Sequence, residues 1–124
     1  MVNYNGRRFV SVKSSENGET SSKTYFTYKQ EDDIISATYS GGDVLKGNMI
    51  GIVKEDGSIE FTYSHINRKH EIKSGKCSST PKTLPDGRIQ LFERWNGFGM
   101  EDAEEESIVE EVSDLVFTPQ IIFN

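Results

Sequence analysis

The sequence predicts an all-β protein, an antiparallel up-and-down β-barrel of about eight strands in a single domain spanning residues 1–124. Three observations lead there. Turn signals punctuate the whole chain: Asn17-Gly18, Glu31-Asp32-Asp33, Gly41-Gly42, Asp56-Gly57, Asn67 to His70, Asp86-Gly87 and Asn96-Gly97. Asn-Gly and Asp-Gly supply the positive backbone angles that tight hairpins require. Between the turns lie short runs rich in Tyr, Phe, Thr, Val and Ile, the residues that suit a pleated, half-buried surface. Finally, no helical spacer separates successive runs, so neighbours in sequence are neighbours in the sheet. Closing such a meander on itself hides its edges.

The strands are expected at roughly 4–12, 22–29, 34–40, 43–53, 58–67, 71–80, 87–96 and 106–113. The first, second and sixth rest on composition and on the turns that bound them. In the third, Ile35, Ala37 and Tyr39 share a face by period-two alternation. In the fourth, Leu45, Gly47, Met49, Gly51 and Val53 align. Gly47 and Gly51, with Gly75 on the sixth, mark bulges or places of strong bending and close backbone approach. In the fifth, Ile59, Phe61, Tyr63, His65 and Asn67 oppose Glu60, Thr62 and Ser64; in the seventh, Ile89, Leu91, Glu93 and Trp95 oppose Arg88, Gln90, Phe92 and Arg94. Pro81 and Pro85 are expected to bracket a loop, because proline lacks a donor for the ladder. Seven acids lie from Glu101 to Glu111, and Ile108, Val112 and Leu115 have helical as well as strand-like spacing. An acidic loop at 101–106 followed by a closing strand leaves no unpaired edge, which favours the strand. The apolar ending, Leu115 to Asn124, suits an extra edge strand, a cover over a barrel mouth, or a partner-binding segment, a second copy of the chain included.

Composition excludes several classes of function. The net charge of −6 disfavours nucleic acid and anionic membrane surfaces as partners, because phosphate contacts need clustered Lys and Arg. No apolar run approaches the ~18 residues of a membrane span, and no N-terminal stretch resembles a signal peptide. Cys77 is the one cysteine, so no internal disulfide forms and a cytoplasmic location is expected. It reads as a small buried hydrophobe. His65 and His70 follow no recognised metal-ligand spacing, and neither a metal nor a cofactor is expected.

Several segments together are similar to a known family. They are Tyr4-Asn5-Gly6-Arg7-Arg8-Phe9, Ala37-Thr38-Tyr39-Ser40-Gly41-Gly42, Tyr63-Ser64-His65-Ile66-Asn67, Gly75-Lys76-Cys77-Ser78-Ser79-Thr80-Pro81 and Leu84-Pro85-Asp86-Gly87-Arg88. The chain resembles, from about residue 3 to residue 112, short bacterial proteins that often carry the label "N-acetylglutamate synthase". That family in turn resembles lipocalin- and avidin-like barrels. The resemblance implies a cup for a small molecule. The acyl-transfer activity in the label finds no support in the residues. No Gly-rich loop opens a helix to cradle a pyrophosphate, and Gly41-Gly42 reads as a hairpin turn. The chain is also too short for an amino-acid-kinase-like domain plus an acetyltransferase domain.

Polar residues on apolar rows point to a site, because a buried charge is costly unless paired. Glu93 lies between Leu91 and Trp95, Glu110 between Ile108 and Val112, and His65 and Asn67 extend the Phe61-Tyr63 row. The expected ligand-binding set is Tyr39, Phe61, Tyr63, His65, Asn67, Glu93 and Trp95, with no catalytic residue assigned. Phe61, Tyr63, Leu91, Trp95, Leu45, Met49 and Glu93 are expected to point inward, with Glu93 hydrogen-bonded to an Arg or a Tyr. Three uses compete. One is a non-catalytic binder of a small, partly apolar molecule. Another is a filled barrel acting through its surface or by oligomerisation. The third is a small isomerase or hydrolase that uses Glu93, with His65, for proton transfer.

Overall fold

The computed structural model describes residues 2–15, 18–99 and 103–112. Eight antiparallel strands form a closed barrel in sequence order, with β1 hydrogen-bonded to β8. They are β1 (Arg8–Lys13), β2 (Tyr25–Glu31), β3 (Ile34–Gly41), β4 (Val44–Val53), β5 (Ile59–Asn67), β6 (Ile72–Thr83), β7 (Ile89–Gly97) and β8 (Glu105–Glu111). The tight turns have the backbone that their residues suggest. Asp32, His70, Gly42, Gly57 and Gly87 all have positive φ. The acidic segment continues into strand β8, as closure requires; the tail from residue 113 lies outside the described residues.

Strand direction puts the β2–β3, β4–β5 and β6–β7 turns at one end, with the N-terminal segment. That end is filled. Tyr4, Phe9, Tyr28, Ile35, Val53, Ile59, Ile89, Leu91 and Val109 are buried there. Tyr4 plugs the base: its hydroxyl donates to the Gly57 carbonyl at 2.5 Å, and burial raises its pKa to about 12. The inward rows toward the other end carry Ser11, Ala37, Gly47, Gly75, Cys77, Ser79 and Ser107. These small residues leave space between the aromatic rings that remain. An eight-stranded barrel is just wide enough to fill with side chains or to hold one small ligand. Here each half takes one of those options.

Three of the strand glycines are matched to aromatic rings. Tyr39 is paired across the ladder with Gly47, Phe61 with Gly51, and Tyr63 with Gly75. A Cβ at Gly47 would clash with the Tyr39 ring, within 2.6 Å of Cζ, Cε1 and Cε2, and one at Gly75 would meet the Tyr63 hydroxyl at 2.5 Å. The missing side chains let the rings lie against the wall, the close approach that glycine alone allows.

Several expectations are corrected. Leu45 points outward and is 44% exposed. A bulge sets Val44 opposite Asn67 and Lys46 opposite Ile66, so Leu45 is the extra residue and Val44 takes the inward place. Pro81 lies within β6, opposite Leu91, and not in a loop. The β5–β6 ladder ends at Ser79, so Pro81 owes no hydrogen bond on that side. β1 starts only at Arg8, because Gly6 has φ +80° and turns the chain across the barrel base. Asn96 and Gly97 remain in β7, and the bend falls one step later, with Gly99 at φ +86°. Glu110 faces outward beside Arg88 and Gln90, because Val109 holds the inward place.

Candidate functional site

The open half of the barrel encloses a cavity of about 630 Å³. Tyr39, Phe61, Tyr63, His65, Glu93 and Trp95 all line it, together with Phe26, Met49, Cys77 and Ser107. Asn67 does not. It is buried at the β5–β6 turn, where its side-chain carbonyl accepts from the Lys69 and Glu71 amides. Its amide donates to Glu19 and Glu71.

The walls are aromatic. Phe26 stacks on Tyr39 with ring centroids 5.0 Å apart, and Tyr63 meets Trp95 edge to face at 6.2 Å. Tyr63 also stacks with His65. Burial raises the Tyr63 hydroxyl to about 12 and the Tyr39 hydroxyl further, so both stay protonated near neutral pH.

Glu93 forms the floor. It is 8% exposed, and it accepts from Ser79 Oγ at 3.1 Å and Ser107 Oγ at 3.2 Å. The expected Arg or Tyr partner is replaced by two serines. Alternation puts Arg94 on the outer face, and Arg7 and Arg88 are engaged with Glu111, Asp86 and Glu110. Burial pushes the Glu93 carboxyl up to about 7, and the two serine hydrogen bonds partly oppose that rise. Cys77, beside it, is raised well above the usual thiol range by burial and by the Glu93 charge. It is therefore a poor nucleophile.

A polar chain crosses the mouth. Glu19, from the β1–β2 connection, receives a hydrogen bond from His65 Nε2 at 2.8 Å. A carboxylate only accepts, so Nε2 carries the proton; in the neutral imidazole Tyr39 then donates its hydroxyl to Nδ1, also at 2.8 Å. This arrangement fixes the His65 ring and seats the connection on the rim.

Ser79, Ser107 and Glu19 were not in the expected set. The two serines occupy inward rows directly opposite Glu93, at Ser79↔Glu93 and Glu93↔Ser107. A small polar residue in register with an inward acid is a readable signal once the register is known. Glu19 reaches the site through the path of a connecting segment and has no periodic signature.

This geometry is an aromatic cup with a polar floor, closed at its base, in an eight-stranded meander. The model of the family described as "Avidin-like protein" matches residues 2–112. The chain belongs to the avidin-like family. The match spans every strand of the barrel, from the Tyr4 plug to the end of β8. No curated protein matches the chain, and neither does any solved structure. Avidin-like membership agrees with the closed eight-stranded barrel.

Proposed function

We propose that this avidin-like barrel is a non-catalytic binder of a small, partly apolar organic molecule held in its open half. The cup itself carries the reading: about 630 Å³ walled by aromatic rings, with one inward carboxylate on the floor, above a base that is fully packed. Apolar concavity with a few convergent polar groups is the usual make-up of a ligand pocket. Binding is favoured over proton transfer by Glu93 with His65 because the two do not form a pair: His65 is held by Glu19 and Tyr39 at the mouth, and Glu93 by Ser79 and Ser107 on the floor. Native mass spectrometry of freshly purified protein, followed by Trp95 fluorescence with small aromatic molecules, tests the proposal. The expected result is one ligand per barrel and a saturable change in the single tryptophan. A cavity that admits only water, with no saturable change for any compound, would refute it.

One observation favours a second role. On the outer wall, Ile34 pairs with Ile52 beside Ile50, and all three are more than half exposed. Exposed apolar patches of this kind often mark protein contacts. The same mass spectrum counts chains, and a monomer at micromolar concentration would remove self-association through this face.

A further inference from the structure

We propose that the ligand is an organic monocation, a primary ammonium or amidinium on a flat apolar body, whose N–H donors bind the Glu93 carboxylate. This rests on the cup reading and assigns its ligand class.

The first argument is unmet acceptor capacity. A carboxylate has about four lone-pair sites. Ser79 and Ser107 use one on each oxygen, and the group lines the cavity floor. The second is the lack of a counter-charge. No Lys or Arg is buried among the described residues, and none forms an ion pair with Glu93. A buried carboxylate without a cation is costly, and an arriving ammonium relieves that cost directly. The third argument is the wall. Phe61, Tyr63 and Trp95 line the same cavity as Glu93, and aromatic rings attract cations most strongly when water is excluded. At the mouth, Glu19, Glu71 and Glu105 outnumber Lys69 and Lys73, which also draws cations inward. An anion meets the opposite field. A neutral ligand leaves Glu93 without charge compensation.

Proton linkage agrees with this picture. With its carboxyl near 7, Glu93 is partly protonated at neutral pH, and an ammonium beside it favours the ionised form. The titratable groups facing it are Tyr28 from β2, Tyr39 from β3 and Cys77 from β6, all raised far above neutrality by burial. Ser79 and Ser107 do not titrate. Glu19 and His65 stand at the mouth and remain in any Glu93 variant.

Three molecules of one size test the inference: 2-phenylethylamine, 2-phenylethanol and phenylacetate, titrated into the full chain at pH 8 by calorimetry and Trp95 fluorescence. The amine should bind at least about tenfold more tightly than the alcohol, the scale of one charge-assisted hydrogen bond, and phenylacetate should bind most weakly. Glu93→Gln should bring the amine within about threefold of the alcohol. In the unaltered protein the preference for the amine should grow from pH 5.5 to pH 8, and Glu93→Gln should abolish that growth. Equal binding of amine and alcohol would overturn the cationic ligand and leave the cup standing. A preference or pH dependence that survives Glu93→Gln would move the recognition to the mouth and overturn the assignment to Glu93. No binding of any of the three would count against the cup and the inference together.

Discussion

Replacing Glu93 by glutamine should make the ligand-free protein more stable at pH 8 and leave it almost unchanged at pH 4. The carboxyl moves from 4.5 in the unfolded chain to about 7 in the barrel, with burial as the main cause. A raised carboxyl means that the folded state binds more protons than the unfolded state between those two values. Stability therefore falls as pH rises through that window. At about 1.4 kcal/mol per pH unit, the shift corresponds to about 3 kcal/mol lost by pH 8. Glutamine is nearly isosteric and uncharged. Its carbonyl can accept from one serine while its amide donates to the other, so the hydrogen bonds survive. The expected gain at pH 8 is about 2–3 kcal/mol, on the order of 10 °C in Tm. Urea unfolding of both proteins at pH 4, 6 and 8 measures it. The glutamine variant should lose the decline that the unaltered protein shows between about pH 4.5 and pH 7. A variant less stable than the parent at pH 8, with the same pH profile, would refute the reasoning. A gain would also mark Glu93 as a residue kept against the interest of stability, as binding sites often are.

Other outcomes follow from the packing. Gly47→Ala should destabilise the barrel by about 1–3 kcal/mol, because its Cβ would clash with the Tyr39 ring; a change under about 0.5 kcal/mol in urea unfolding would show that the ring is free to move. Tyr4→Phe should cost about 1–2 kcal/mol by leaving the Gly57 carbonyl at the base without its donor, as read by thermal unfolding. Cys77 should react only slowly with a small disulfide reagent at pH 8, because burial and the Glu93 charge keep its thiol protonated; labelling within seconds in native buffer would contradict that.

Much of this was legible in residues. Alternation in β3, β5 and β7 reports the inward rows directly, because a closed sheet has one packed face and a period of two. Glu93 stands out on such a row for the same reason. What alternation cannot see is an inserted residue. The bulge at Val44–Lys46 moves Leu45 outward while every later residue of β4 keeps its place. Nor does a turn signal fix its own position: Asn96-Gly97 stays extended, whereas Asn5-Gly6 ends the N-terminal segment early. Asn67 shared the row of Phe61 and Tyr63, yet its short amide is used up by the β5–β6 turn. Glu19 and the two serine partners of Glu93 depend on cross-strand register and on the path of a connection, which no single segment encodes.

The most direct test of the cup is chemical-shift mapping of the isotope-labelled protein during titration with 2-phenylethylamine at pH 8. The account predicts saturable shifts of the Trp95 indole N–H and of Phe61, Tyr63 and Glu93, with Tyr4, Ile59 and Ile89 at the packed base unmoved. Absence of saturable shifts, or shifts confined to Ile50 and Ile52 on the outer wall, would contradict it.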